Sequence, residues 1–70
     1  MIVELNGREV DLGAGATVAD AARAAGIDPE RRGIAVALDG EVVPRGELAS
    51  TPLTAGQRVE VVEAIGGGGR

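Results

Sequence analysis

Two dipeptides constrain the fold of this chain more than any other feature: Asn6-Gly7 and Asp39-Gly40, each placed between short aliphatic runs. Both are typical of type I′ turns, because Asn, Asp and Gly tolerate the positive φ angles that both central residues of such a turn require. A type I′ turn joins two antiparallel strands whose right-handed twist it matches. The sequence therefore predicts two β-hairpins, residues 1–5 with 8–12 and residues 34–38 with 41–43.

One short helix is predicted between the hairpins. Thr17 and Asp20 have the spacing of a capping box, in which a hydroxyl and a carboxylate accept from backbone N–H groups that lack helical partners. The helix then begins at Val18, presents a stripe of small apolar residues, and ends before Gly26. Residues 58–63 alternate in polarity and predict a last strand. This order of elements predicts an α+β fold, a mixed sheet of about four or five strands packed on one main helix.

The core that these elements can build is small. Of the 31 apolar residues, 12 are alanine, which leaves 19 Met, Ile, Val and Leu side chains. Leu48, in an irregular crossover over residues 45–52, and Leu53 just after it are expected as buried anchors. A chain of 70 residues has room for one domain and buries only about 60% of its unfolded surface, so we do not expect an enclosed substrate cavity.

Missing residue types exclude several functions. The chain has no Cys, no His and no aromatic residue, which excludes disulfides, thiolate nucleophiles and the usual zinc and acid–base sites. A net charge of −4 would repel nucleic-acid phosphates, and bases would have nothing to stack on. The scattered carboxylates have the positions of caps, turns and solvated faces, so no metal site is predicted. No segment approaches the ~20 apolar residues of a membrane span or resembles a leader, and a cytoplasmic location without membrane contact is expected.

The end of the chain needs a separate explanation. Gly66, Gly67, Gly68 and Gly69 follow the last predicted strand, where neither a core nor a turn needs glycine. We expect residues 1–65 to form the domain and residues 66–70 to form a flexible glycine-rich tail. Extended, the four glycines reach roughly 13 to 14 Å at 3.3 to 3.6 Å per residue, and without Cβ atoms they fit a narrow channel in a partner.

A terminal carboxylate is ionised at neutral pH and reacts with nucleophiles only after it acquires a leaving group such as an adenylate.

Three blocks of sequence carry a resemblance to a known family: GATV at 15–18, AVALDGEVVPR at 35–45 and LTAGQRVEVV at 53–62. Together with the glycine tail they resemble ThiS-like sulfur carrier proteins of the ThiS/MoaD family, which have the ubiquitin-like β-grasp fold. Two positions before the tail depart from that pattern. Gln57 stands where the family usually has Asp, and Leu48 stands where a Trp is common.

The resemblance implies a carrier and co-substrate rather than an enzyme. In ThiS-like proteins the terminal glycine is adenylated by a ThiF-like, E1-type activating enzyme that uses ATP, and is then converted to a thiocarboxylate. The sulfur goes to thiazole formation in thiamine biosynthesis. The implied partners are therefore that activating enzyme, a ThiG-like thiazole synthase and a sulfur donor such as a cysteine desulfurase, and no bound cofactor is expected.

The tail differs from that pattern at its last residue, Arg70. Because ThiS-like tails end in glycine, we expect a processing protease to remove Arg70 and expose Gly69 as the site of adenylation and thiocarboxylate formation. Further trimming would place that site at Gly68 or Gly67. The resemblance implies that Gly66, Gly67 and Gly68 thread the partner's active site.

A docking surface is predicted on the last and first strands. If alternate residues of both strands face the helix, Ile2 and Val62 emerge beside Glu4 and Glu60 on the other face of the sheet, as a mixed apolar and acidic surface for the activating enzyme. Scattered exposed aliphatic residues, which are normal on small proteins, are the alternative explanation.

Three other functions stay open at this point. A MoaD-like carrier would supply sulfur for molybdopterin or another metabolite. A ubiquitin-like modifier would be conjugated to lysines of target proteins through the same adenylate. A β-grasp interaction module would not use the tail at all.

Overall fold

Five strands form one mixed sheet, and one helix packs on one of its faces, in the computed structural model, which describes residues 1–63. The elements are β1 Ile2–Leu5, β2 Arg8–Asp11, α1 Val18–Ala24, β3 Ile34–Leu38, β4 Glu41–Val43 and β5 Arg58–Glu63. The strand order is β2-β1-β5-β3-β4, with β1 and β5 parallel and the other neighbours antiparallel. The predicted mixed sheet on one helix is confirmed. The domain boundary predicted at residue 65 and the predicted tail, residues 66–70, lie outside the described residues.

Both predicted turns are confirmed, and each also binds β5. The φ angles are 50° and 83° at Asn6 and Gly7, and 50° and 88° at Asp39 and Gly40, as a type I′ turn requires. The Asn6 carbonyl oxygen Oδ1 accepts from the Val61 N–H at 2.8 Å. Asp39 Oδ1 accepts from the backbone N–H at the start of β5 at 2.9 Å. The turn residues therefore close their own hairpins and also hold β5 between the two hairpins.

The helix begins and ends as its sequence predicts. The Thr17 N–H donates to Asp20 Oδ2 at 2.8 Å, and the Asp20 N–H donates to Thr17 Oγ1 at 3.3 Å, which completes the capping box. At the other end Gly26 has a φ of 80° and donates to the Arg23 carbonyl, while the Ile27 N–H donates to a carbonyl one turn earlier. This Schellman arrangement satisfies carbonyls that a helix end otherwise leaves without partners.

The core lies between α1 and the sheet and is built from aliphatic side chains only. Its buried members are Val3, Leu5, Ala16, Val18, Ala19, Ala21, Ala22, Val36, Leu48, Leu53, Val59 and Val61. The helix contributes mainly alanines, which lets it lie close to the strands. The predicted anchors Leu48 and Leu53 are both buried.

The connections contain two features that their sequence did not predict. The crossover after β4 is not wholly irregular, because Arg45–Glu47 forms a 3₁₀ helix that starts directly after Pro44. In the polar loop of residues 28–33, Pro29 is buried and the chain forms turns. Asp28 Oδ1 accepts from the Glu30 N–H at 2.9 Å, a side-chain turn that brings the proline inward.

The capping carboxylate gives the fold a pH dependence. Hydrogen bonds from the Thr17 N–H and hydroxyl, together with the nearby Arg23 guanidinium, hold the pKa of Asp20 below its ordinary value against a smaller opposing effect of desolvation. Because the folded-state pKa is the lower one, the contribution is complete above the unfolded value of about 3.9 and is lost as pH falls through the folded value. We expect the thermal midpoint of the wild type to fall below about pH 4 more steeply than that of Asp20→Asn. Parallel curves for the two proteins would contradict this assignment.

Candidate functional site

The face of the sheet opposite α1, called the open face here, carries all four residues of the predicted docking surface. Ile2 and Val62 are 46% and 60% exposed, and Glu4 and Glu60 are exposed beside them. Their neighbours along β1 and β5 point into the core, so the alternation predicted from the sequence is confirmed. The docking role of these residues stays a prediction.

The open face also carries Val42, which the predicted docking surface did not include. At 73% exposed, it is the most exposed of the large hydrophobic residues within residues 1–63. The signal was present in the sequence, because β4 contains two consecutive valines and only one of them can face the core. Val43 is the partly buried one, which leaves Val42 in the open.

The register places Val42 opposite a row of small residues. Ala37 lies between Val42 on β4 and Glu60 on β5, and Ala35 lies opposite Val62 on β5. Together with Val36, these five residues line an open depression of about 340 Å³ along β3, and Asn6 lines its side next to β1. We call this depression the β3 trough: its floor is the two alanines, and its walls are Val42 on one side and Glu60 and Val62 on the other.

The other half of the open face is acidic. Glu4 on β1 lies opposite Glu9 on β2 and opposite Arg58 on β5. Asp11, further along β2, forms an ion pair with the N-terminal amine at 3.0 Å. The open face thus combines an apolar trough over β3 with carboxylates over β1 and β2.

The end of β5 is held from two sides just before the predicted tail. On one edge the Asn6 side chain accepts from Val61, as described above. Two residues further along β5, its last residue, Glu63, forms an ion pair with Arg31 from the loop before β3. The loop itself is held by Arg45, whose guanidinium donates to the Glu30 carbonyl. The strand that carries Glu60 and Val62 is therefore fixed where the chain continues toward the predicted tail, although Gly66, Gly67, Gly68, Gly69 and Arg70 lie outside the described residues.

Gln57, one of the two departures from the family pattern, has a defined structural role. Its Oε1 accepts from the Thr54 N–H at 2.7 Å, which closes the turn before β5, and its Nε2 donates to Asp39 Oδ2 at 3.2 Å. An Asp at this position accepts from a nearby backbone N–H in the same way but cannot donate to a second carboxylate. Gln57 thus closes the turn before β5 and also binds the turn of the second hairpin.

Within residues 1–63 no three carboxylates come together in a group that could hold a metal ion, and no polar side chain is buried. In the same part of the chain, no helix is both long and apolar enough to cross a membrane.

Comparison with known proteins agrees with this architecture. The model of the ThiS family matches residues 2–68. The crystal structure of a thiamine biosynthesis protein (ThiS) from Geobacter metallireducens is 26% identical, with a TM-score of 0.74 over 97% of this chain and 100% of that one. The NMR solution structure of a thiamine biosynthesis protein from Geobacter metallireducens is 29% identical, with a TM-score of 0.75 over 100% of this chain and 91% of that one. No match was found among curated protein sequences. Since the family match spans nearly the whole chain, this protein belongs to the ThiS family of small sulfur carrier proteins.

Proposed function

We propose that the chain carries sulfur as a C-terminal thiocarboxylate and donates it to thiazole formation in thiamine biosynthesis. The observation that carries this proposal is the extent of the family match, which runs through the β-grasp body and continues through Gly66 and Gly67 to residue 68. The two solved relatives are described as thiamine biosynthesis proteins, which supports thiamine rather than molybdopterin as the pathway.

The proposed chemistry divides the work between the carrier and its partner. The terminal carboxylate attacks the α-phosphorus of ATP and pyrophosphate leaves, which gives a carboxyl-adenylate. The persulfide of a donor such as a cysteine desulfurase then attacks the carbonyl carbon, and AMP leaves with one of the original oxygens, which gives an acyl disulfide. A thiol reductant cleaves the sulfur–sulfur bond of this acyl disulfide and releases the thiocarboxylate, while the reducing thiol takes up the donor's sulfur as a disulfide. The activating enzyme, of the ThiF type, supplies ATP binding and catalysis, and a ThiG-like thiazole synthase accepts the sulfur. The carrier supplies the carboxyl group and the surface that brings it there.

Arg70 has to be removed for this chemistry to take place on glycine. A terminal arginine would put a long cationic side chain on the carbon next to the reacting carboxyl, inside a channel that suits residues without a Cβ. We propose that a protease exposes Gly69, with Gly68 or Gly67 as the site if more residues are removed.

The open face supplies the docking energy in this proposal. Ordering four glycines in a partner's channel costs about 1 to 2 kcal/mol of entropy for each residue, so contacts of the body must offset that loss. Ile2, Glu4, Glu60 and Val62 are exposed on the open face, and two of them lie on the strand that leads to the tail.

Charge reversal on the open face tests this docking role. In chains that end at Gly69, we expect Glu4→Arg and Glu60→Arg each to raise the KM for the carrier at least about tenfold in ATP–pyrophosphate exchange by the activating enzyme, because like charges would then face each other across the interface. The matched control is Glu41→Arg, which makes the same charge change on β4 opposite Leu38, on the helix side of the sheet. The docking role is wrong if all three variants, shown by circular dichroism to be folded, keep the wild-type KM.

A further inference from the structure

We propose that the β3 trough receives one long cationic side chain, an arginine or a lysine, that projects from the surface of the activating enzyme. The stem of that side chain would lie on Ala35 and Ala37, and its charged head would reach the carboxylate of Glu60. This inference rests on the proposed function and names the chemistry by which the open face selects its partner.

The shape of the trough follows from the sequence of β3. Its residues alternate between large core side chains and alanine, so every side chain that β3 presents to the open face is small. Facing residues on neighbouring strands have Cβ atoms only about 4.5 to 5.5 Å apart, so the space above each alanine is bordered closely by its neighbours. Val42 borders Ala37 on one side, while Glu60 and Val62 form the other wall. The result is a depression about one side chain wide that follows the strand.

The charge of the trough is concentrated in one wall. Glu60 is exposed, and within residues 1–63 no cationic group lies within 4.0 Å of its carboxylate. The residues on its β3 and β4 side, Ala37 and Val42, are apolar, and Asn6 beside it is neutral. Arg58, two residues earlier on the same strand, lies opposite Glu4 on β1. We therefore expect a cationic group of the partner to form an ion pair with the Glu60 carboxylate.

The combination of an apolar floor and a single carboxylate selects among possible occupants. A wholly apolar side chain would cover Glu60 and remove it from water without giving it a partner, which is unfavourable. A short cationic group would leave the alanine floor exposed to water. Arginine and lysine have both parts, a methylene stem that covers apolar surface and a charged head at its end.

The test compares the two parts of the trough separately. Ala37→Leu fills the floor of the trough, and Ala35→Leu fills it two residues earlier on β3. Glu60→Gln removes the negative charge from the wall and keeps the size of the side chain. The matched controls are Ala24→Leu, on the exposed side of α1, and Glu41→Gln, on the other face of the sheet. The reference chain and every variant are made without Arg70, so that they end at Gly69, and the KM of each folded chain is measured in ATP–pyrophosphate exchange by the activating enzyme at low and high salt.

We expect both leucine variants to raise KM about tenfold, because the partner's side chain can no longer enter. Glu60→Gln is expected to raise KM about three- to tenfold at low salt and to weaken its dependence on salt. The KM of both control variants should stay within about twofold of the wild-type KM, because residues away from an interface contribute little to binding.

Three other outcomes would overturn the proposal at different steps. Wild-type KM in all trough variants would show that the trough is not occupied. A raised KM in the leucine variants with an unchanged Glu60→Gln would show an apolar occupant. A wild-type dimer in sedimentation equilibrium that Ala37→Leu dissociates would show that a second copy of the chain occupies the trough. A chain that ends at Gly69 and supports no exchange would instead overturn the proposed function on which the inference rests.

Discussion

A chain that ends at Ile65 is expected to lose activation completely while it keeps its fold. Within the described residues 1–63 the buried core runs from Val3 to Val61, and we expect it to stay intact when residues 66–70 are removed. Without the glycines the carboxylate ends beside the body and cannot reach roughly 13 Å into a partner's active site. The measurement is intact mass after incubation with the activating enzyme, ATP and a sulfur source, together with the thermal unfolding midpoint.

The matched variant for this experiment lacks Arg70 alone. It should be activated without any protease, because its terminus is already Gly69. If the chain that ends at Ile65 still gains sulfur, the tail is not the site of the chemistry. If its thermal unfolding midpoint lies well below that of the wild type, the tail contributes to stability, which would also contradict this account.

Leu48→Ala is expected to leave the chain largely unfolded at 25 °C. Leu48 is 4% exposed, and its carbonyl accepts from the Ala19 N–H at 2.9 Å, so it joins the crossover to the helix within the core. Truncating a buried leucine costs about 2 to 5 kcal/mol, whereas a core in a chain of this size rarely supplies more than about 3 to 5 kcal/mol. Urea unfolding followed by circular dichroism measures the difference.

Leu12→Ala is the matched control for this substitution. Leu12 packs against the edge of the core and is only partly buried, so the same change should lower the free energy of unfolding by a smaller amount. If Leu48→Ala unfolds cooperatively within about 1 kcal/mol of the wild type, the core does not depend on this anchor.

The features that the sequence predicted are those that depend on local chemistry. The positive φ angles at Asn6 and Asp39 follow from the turn that their dipeptides favour, and the capping box of Thr17 and Asp20 follows from their spacing. The inside and outside faces of β1 and β5 follow from alternation within each strand. The family resemblance then implied the β-grasp fold, whereas the order of the strands, β2-β1-β5-β3-β4, came only from the structure.

The features that the sequence did not predict depend on contacts between distant residues. The β3 trough exists only because the register places Val42 and Glu60 on opposite sides of Ala37. The bond from Val61 to the Asn6 side chain spans 55 residues, and no local pattern signals it. The ion pair between Arg31 and Glu63 likewise joins a loop to the end of the last strand.

The most direct test of the proposed sulfur carrier is the intact mass of the chain recovered from its native cells and then incubated with its activating enzyme, ATP and a sulfur source. We expect the recovered chain to lack Arg70, and we expect incubation to add the mass difference of one sulfur atom in place of one oxygen. A chain that retains Arg70 and never changes in mass would contradict the proposal, and it would favour an interaction module with an unused tail.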